Sequence, residues 1–83
     1  MAYVYILWCY DGSYYVGCSQ DYIVRIRQHE AGLVKYTKSR LPALLIYLEE
    51  YKTLGEARTR ENRIKGWKKR KNIENLIKRG AVV

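Results

Sequence analysis

Apolar and polar residues alternate along two short segments near the start of the chain, and both segments are rich in Tyr, Val and Ile. This two-residue period predicts β-strands over residues 2–9 and 13–18. Between them stands Asp11-Gly12, a residue pair typical of a tight hairpin turn. A third strand is predicted over residues 43–51, where a strongly apolar run follows a proline.

Helical spacing of apolar residues, with suitable capping residues, marks the other segments. Asp21 is suited to begin a helix and Gly32 to end it. Helices are predicted over residues 22–31, 54–70 and 72–79, and the segment 32–42 is predicted to be a loop. The order ββαβαα predicts an α+β fold, with a small three-stranded antiparallel sheet flanked by helices, in a single domain spanning residues 1–83.

The length of the hairpin loop decides which side chains share a face of the sheet. A two-residue loop would pair Trp8 with Tyr15 and place Tyr5 and Tyr15 on opposite faces, because side chains alternate along a strand. A three-residue loop pairs Tyr5 with Gly17 instead, and we favour it because it puts nearly all the aliphatic bulk on one face and collects tyrosines on the other. One face would then carry Val4, Ile6, Trp8, Tyr14, Val16 and Cys18, and the other Tyr3, Tyr5, Leu7, Tyr15 and Gly17.

The composition limits the class of protein. With 83 residues, 48% of them hydrophobic, the chain is long enough for one small folded domain. Its two cysteines are too few for a disulfide scaffold or a zinc site of four thiolates. No apolar run approaches the roughly 20 residues needed to span a bilayer. The first residues lack a signal-peptide pattern, so we expect a cytoplasmic protein with no membrane partner.

The charge is strongly positive, with 16 Lys and Arg against 8 Asp and Glu, which gives a formal net charge of +8. Eight of the basic residues fall between Arg58 and Lys71. This cluster indicates a polyanionic partner, and nucleic acid before a membrane surface. The simpler alternative is a solvated helix face that only keeps the protein in solution.

Arg25 and His29 are four residues apart on the first predicted helix and share one face of it. The fixed fork of donors on arginine suits a phosphate, so this pair indicates an anionic ligand. A surface arginine beside a partly exposed histidine is the simpler alternative. Because His29 is the only histidine in the chain, a histidine pair is excluded.

Glu61 interrupts the apolar stripe of a predicted helix. Leu54, Ala57 and Ile64 form the stripe, and a carboxylate on such a face is costly unless it is paired or binds a metal. An ion pair with Lys65 is one explanation, although an exposed pair of this kind contributes only about 0.2–0.5 kcal/mol. A hard cation is the other, since Mg²⁺ commonly uses one or two carboxylates and completes its shell with water and phosphate oxygens.

Several short motifs occur in an order and at separations that resemble the GIY-YIG nuclease superfamily. They are YVY at 3–5, YVG at 15–17, Arg25, His29 and ENRIK at 61–65, and the segments DGSYYVG and KYTKSRLP are also similar. The likeness covers roughly residues 3–78. It is closest to small stand-alone bacterial members, which are similar to the N-terminal nuclease domain of the UvrC excision-repair protein. Tyr3 replaces the first glycine of GIY, and Val16 replaces the isoleucine of YIG.

The resemblance implies a metal-dependent endonuclease that hydrolyses phosphodiester bonds in DNA, with a role in DNA repair or processing. It implies that Tyr5 takes a proton from the attacking water and that Tyr15 contacts the phosphate or a metal-bound water. Glu61 would hold one Mg²⁺ or Mn²⁺ ion, Arg25 would bind the scissile phosphate, and His29 would orient water or the leaving group. Because free tyrosine is a poor base at neutral pH, nearby cations are expected to depress the pKa of Tyr5.

A further set of residues is expected to bind substrate. Gly17 would let the substrate approach the backbone closely, and the basic side chains would hold the DNA backbone in a salt-dependent way. The residues are Gly17, Lys35, Lys38, Arg40, Lys65, Lys68 and Lys69.

Two other functions are compatible with the sequence. One is a non-catalytic nucleic-acid-binding module that keeps the site as a phosphate clamp. The other is a small interaction protein whose basic residues serve only solubility. Because so small a chain has few residues for DNA contact, a partner protein or self-association is a further expectation.

Overall fold

The computed structural model describes residues 1–80 and confirms the α+β fold. Three antiparallel strands form one sheet in the order β2-β1-β3, so β1 is central and β2 and β3 are edge strands. In chain order the elements are β1 (Ala2–Cys9), β2 (Tyr14–Ser19), α1 (Tyr22–Glu30), α2 (Lys35–Lys38), β3 (Ala43–Tyr51), α3 (Leu54–Lys65) and α4 (Arg70–Arg79). No helix within residues 1–80 is long and apolar enough to cross a membrane.

The β1–β2 hairpin has the predicted three-residue loop. Tyr5 pairs with Gly17 and Leu7 pairs with Tyr15. The Gly12 N–H donates to the backbone carbonyl three residues earlier at 2.8 Å, and Gly12 has a φ of +83°, a conformation that favours glycine. The register therefore places Tyr5 and Tyr15 on the same face of the sheet.

Helices cover both faces of the sheet, so each face is part of a core. The first face packs against α3 and α4 through Val4, Ile6, Val16, Ala57, Ile64 and Leu76. The second face, which carries the tyrosines, includes Tyr5, Leu7 and Cys9 and packs against Tyr22 and Ile26 of α1. Trp8 was expected in the apolar face, but 42% of it is exposed near the end of β1.

Helix ends follow local capping contacts. Asp21 accepts a hydrogen bond from the Val24 N–H at the start of α1, and Gly32 follows the end of this helix with a φ of +77°. Thr53 and Glu56 form a reciprocal capping box at the start of α3.

Two predicted boundaries were wrong. The segment 32–42 is not wholly a loop, because Lys35–Lys38 form the short helix α2 over the buried Thr37. The helix predicted over 54–70 ends at Lys65, and Gly66 caps it. The next residue, Trp67, packs against the core formed by the first face of the sheet. As a result α4 begins two residues earlier than predicted.

Candidate active site

The phenol ring of Tyr5 passes over Gly17. A Cβ atom at Gly17 would lie 2.5 Å from both Cζ and Oη of Tyr5 and 3.0 Å from Cε1 of Tyr15. Since β2 is an edge strand, a ring that leaves β1 and crosses β2 carries its hydroxyl toward the outer edge of the sheet. The open space expected beside Gly17 for the substrate is filled by these two rings, so the glycine accommodates the tyrosines.

The hydroxyl of Tyr5 begins a chain of hydrogen bonds that ends at a backbone carbonyl. It lies 3.0 Å from Nε2 of His29, and Nδ1 of His29 lies 2.8 Å from Oγ1 of Thr37. The Thr37 hydroxyl donates to the carbonyl oxygen of Val34 at 3.4 Å. Because the Thr37 hydroxyl proton points at the Val34 carbonyl, Oγ1 of Thr37 must accept a hydrogen bond from a protonated Nδ1 of His29. In this neutral tautomer Nε2 carries no proton and accepts the hydrogen bond of the Tyr5 hydroxyl.

His29 is neutral in this arrangement. No part of it is exposed, and burial, followed by the charge of Arg25, lowers its pKa to about 4. The resemblance implied that His29 orients water or the leaving group. In the structure both ring nitrogens of His29 are engaged inside the protein, one with Tyr5 and one with Thr37, and the role of His29 stays a prediction.

The pKa of Tyr5 is raised far above its ordinary value. Burial is the largest cause, because only 1% of the residue is exposed, and the neighbouring Tyr15 and Glu61 raise the pKa further. Arg25 opposes the rise without cancelling it. Nearby cations were expected to depress the pKa of Tyr5, but Arg25 by itself does not, because burial outweighs its effect. Tyr5 is therefore a neutral phenol.

Arg25 lies on α1, one turn before His29, and is half-buried. Its Nη1 donates to Oε1 of Gln28 at 2.8 Å, and its charge lowers the pKa of both Tyr5 and His29. None of the ion pairs formed within residues 1–80 includes Arg25. Its charge therefore faces the two proton-carrying side chains and is free for an anion.

Glu61 reaches the same edge of the sheet from the opposite face. Its Oε1 accepts a hydrogen bond from the thiol of Cys18 at 3.1 Å, and its Oε2 pairs with Nζ of Lys65 at 2.8 Å. Burial and the carboxylate raise the pKa of Cys18, which keeps the thiol protonated as a donor. The side chain of Glu61 is 13% exposed, and its charge acts on Tyr5 although α3 packs on the first face.

The donor set at Glu61 fits one kind of metal site. The residues that the structure describes contain no group of three or more His, Cys, Asp or Glu side chains able to enclose an ion. A cage built from protein ligands therefore does not fit. A Mg²⁺ ion held by one carboxylate, with water and phosphate oxygens completing its shell, needs no such cage, but it would have to replace Cys18 or Lys65 as a partner of Glu61.

Comparison with known proteins identifies the family of this chain. A family model described as the GIY-YIG catalytic domain matches residues 1–75. The chain belongs to the GIY-YIG family. UPF0213 proteins of Staphylococcus aureus strains Mu50 and N315 are 44% identical to it over 77 residues, which are 92% of this chain and 93% of theirs.

A solved structure of the same kind is also similar. The solution NMR structure of a UPF0213 protein from Bacillus halodurans is 36% identical, has a TM-score of 0.61, and matches 96% of this chain and 87% of that one. The resemblance seen in the motifs is confirmed, and it places the chain in a nuclease family of small stand-alone GIY-YIG proteins. The names of these relatives specify neither a substrate nor a metal.

The basic residues predicted to bind substrate lie on different elements of the fold. Lys35 and Lys38 are exposed on α2, while Lys68 and Lys69 are exposed in the turn between α3 and α4. Lys65 is held by the carboxylate already described.

Arg40, the last of these basic residues, follows α2 and is held in place by three contacts. Its Nε donates to Oδ2 of Asp11 at 3.0 Å, and its Nη1 donates to the carbonyl of Tyr36. Its guanidinium lies 4.2 Å from the centroid of the Tyr36 ring.

Sequence reasoning missed two residues of this GIY-YIG site. Thr37, which fixes the tautomer of His29, lies in a segment that was predicted to be a loop and was noted as similar to the family, but no role was assigned to Thr37 itself. Cys18 was placed on the correct face, but the contact with Glu61 joins residues 43 positions apart and had no signal in the sequence.

Proposed function

We propose that this GIY-YIG protein is a metal-assisted endonuclease that hydrolyses phosphodiester bonds in DNA. The observation that supports it best is the 3.0 Å contact between the Tyr5 hydroxyl and Nε2 of His29, the ring nitrogen that the contact of Nδ1 with Thr37 leaves free to accept a proton. A buried tyrosine that needed only a hydrogen-bond partner could use any carbonyl, whereas an imidazole nitrogen can also accept the proton. Arg25 and Glu61 lie close enough to act on the same hydroxyl.

The proton path follows from these contacts. A water oxygen attacks phosphorus and the bond to the leaving oxygen breaks, while the water proton passes to Tyr5 and the hydroxyl proton of Tyr5 passes to Nε2 of His29. The leaving oxygen takes its proton from solvent. A histidine with a pKa of about 4 is a weak acceptor, but a phosphate bound at Arg25 would offset the positive charge that helps to depress that pKa.

The remaining groups position the substrate. Arg25 would bind the scissile phosphate and stabilise its added charge in the transition state. Glu61 would hold the Mg²⁺ ion, whose chemistry is to neutralise phosphate charge and to lower the pKa of a bound water. Because only 1% of Tyr5 is exposed, water reaches its hydroxyl only if a neighbour moves. We assign this movement to the half-buried Tyr15, whose ring centroid is 6.3 Å from that of Tyr5.

The test is nicking of plain and branched DNA by the pure protein with Mg²⁺, Mn²⁺ or EDTA. We expect EDTA and Glu61→Gln to abolish nicking, and Tyr5→Phe to slow it by about 100-fold or more, as loss of a general acid–base group does. Glu50→Gln is the control, since Glu50 is an exposed carboxylate on β3, the strand at the opposite edge of the sheet from β2. Equal nicking by wild type and Glu61→Gln would mean a contaminating nuclease and would overturn the proposal.

A non-catalytic nucleic-acid-binding module is the second candidate. Two observations favour it: both carboxylate oxygens of Glu61 already have partners within the protein, and the hydroxyl of Tyr5 is covered. This candidate predicts salt-dependent DNA binding that survives Glu61→Gln, with no cleavage in any metal. Cleavage that depends on Glu61 would exclude it. With an active nuclease, the similarity to the excision-repair domain supports a role in DNA repair or processing.

A further inference from the structure

A groove lined by aromatic side chains opens beside the active site, between β2, α2 and the end of α3. Its lining includes the rings of Tyr14, Tyr15, Tyr36 and Trp67 together with the side chain of Lys65. Tyr36 is 42% exposed, and the other three aromatic residues are half-buried. These rings therefore offer surface that the cores of the protein do not use.

The groove is continuous with the catalytic residues. Tyr15 belongs to both, because its ring centroid is 4.7 Å from that of His29 on one side and 5.4 Å from that of Tyr36 on the other. Lys65, which also lines the groove, is the residue that pairs with Glu61. A ligand in the groove thus lies next to any phosphate held at the active site.

Positive charge surrounds the aromatic lining. The guanidinium of Arg40 lies 4.2 Å from the ring centroid of Tyr36, and that of Arg70 lies 4.5 Å from the ring centroid of Tyr14. Each guanidinium is paired with one exposed carboxylate, a type of pair that is weak in water. Aromatic rings within a cationic rim are the combination by which proteins hold the bases and the backbone of a single strand.

We propose that this groove binds an unpaired nucleobase of the nucleotide at or next to the cleaved bond. The inference rests on the proposed function only in taking DNA as the ligand. In an intact duplex each base is stacked between its neighbours and cannot enter a groove beside the backbone. The substrate class that fits is DNA with unpaired nucleotides at the cleavage position, as in a flap, a bulge or a branch point.

The experiment compares two labelled hairpin DNAs that carry flaps of equal length and charge. One flap is made of thymidines and the other of abasic tetrahydrofuran nucleotides, and binding is measured by fluorescence anisotropy in EDTA, so that cleavage is absent. We expect the wild type to bind the thymidine flap about 5- to 150-fold more tightly, as one stacked base provides.

Variants identify the groove as the source of this preference. Tyr36→Ala is expected to bind both flaps with nearly equal affinity, and Tyr36→Phe to keep the preference, since the ring is retained. Tyr10→Ala is the control, because Tyr10 is a tyrosine 78% exposed at the hairpin turn and does not line the groove. Tyr36 is 42% exposed and belongs to neither core, so we expect its removal to leave the fold intact, and urea unfolding checks this. Trp67→Ala removes a second aromatic ring from the lining of the groove and is also expected to reduce the preference for the thymidine flap.

Two results would overturn the inference: equal affinity of the wild type for both flaps, or a preference that survives in both Tyr36→Ala and Trp67→Ala. The outcome is separable from that of the nuclease assay. A flap preference without Glu61-dependent nicking supports the groove and refutes the nuclease. Glu61-dependent nicking without a flap preference supports the nuclease and refutes the groove.

Discussion

Replacement of Gly17 by alanine tests the central contact of the site. The added methyl carbon would lie 2.5 Å from Cζ and Oη of Tyr5, whereas carbon atoms in contact are ordinarily about 3.5–4.0 Å apart. The Tyr5 ring must therefore move by about 1 Å or more. That movement breaks the 3.0 Å hydrogen bond to His29.

The expected cost has two parts and one offset. Overpacking a filled site costs about 1–3 kcal/mol. The loss of a hydrogen bond between buried groups costs about 1–3 kcal/mol more. Alanine restricts the unfolded chain and returns about 0.4–1 kcal/mol. We expect Gly17→Ala to lower the free energy of unfolding by about 3 kcal/mol, a large part of the roughly 4–12 kcal/mol typical of a domain of this size.

Urea unfolding followed by far-UV circular dichroism measures this cost. Gly55→Ala is the matched control, because Gly55 lies on α3 and the atom nearest to its added Cβ, Oγ1 of Thr53, is 3.9 Å away. This control is expected to be neutral or to stabilise the protein by up to about 1 kcal/mol. In a Tyr5→Leu background, which removes the ring, Gly17→Ala should cost little.

Two results would refute the reasoning. One is a Gly17→Ala variant as stable as Gly55→Ala, which would mean that Tyr5 does not cross Gly17. The other is an unchanged cost in the Tyr5→Leu background, which would mean that the penalty arises elsewhere along the strand. Either result would also remove the geometric basis for placing the Tyr5 hydroxyl at the edge of the sheet.

Three further predictions concern buried polar groups and use the same unfolding assay. The pKa of His29 falls from 6.5 to about 4 on folding, so as the pH is lowered the unfolded chain binds a proton at a higher pH than the folded chain does. The free energy of unfolding should therefore fall by about 3 kcal/mol from pH 7 to pH 4, and the fall should be smaller in His29→Gln. Burial acts to raise the pKa of Glu49, but hydrogen bonds from Arg60 and two tyrosines together lower it. The ionised Glu49 therefore stabilises the folded state at neutral pH, and this stabilisation is lost below about pH 4. Arg60→Ala should therefore cost about 2 kcal/mol at pH 7 and much less at pH 3. Thr37→Val should cost about 1–3 kcal/mol by removing the acceptor of a buried N–H, whereas Thr59→Val, at an exposed position of α3, should cost little.

The sequence was sufficient for the hairpin because its local rules leave few choices. A side-chain period of two and a turn of two or three residues allow only two registers, and a single preference for gathered tyrosines selects the one observed. The short helix α2 could not be predicted in this way. It has four residues and no apolar period, and its buried Thr37 bonds to His29, eight residues earlier.

The site shows the same division between local and distant contacts. The motifs identified Tyr5, Arg25 and Glu61, and the structure brings the charges of Arg25 and Glu61 to bear on the Tyr5 hydroxyl. They did not show that His29 is wholly buried, because its burial depends on packing between α1, α2 and the sheet. The premature end of α3 had a signal in Gly66, which interrupts an otherwise helical run, but the cause lies in the packing of Trp67 against the core.

The position of β2 at the edge of the sheet explains why two unrelated faces can form one site. Tyr5 belongs to the second face and Glu61 packs with the first, and a central strand between them would keep them apart. At an edge, a side chain from either face can extend past the strand, provided that the strand has no side chain in the way. Gly17 meets that condition for Tyr5, and the thiol of Cys18, the next residue, holds Glu61 from the other side. Consecutive residues of one strand thus position the Tyr5 hydroxyl and the Glu61 carboxylate, so an insertion between Gly17 and Cys18 should separate these two groups.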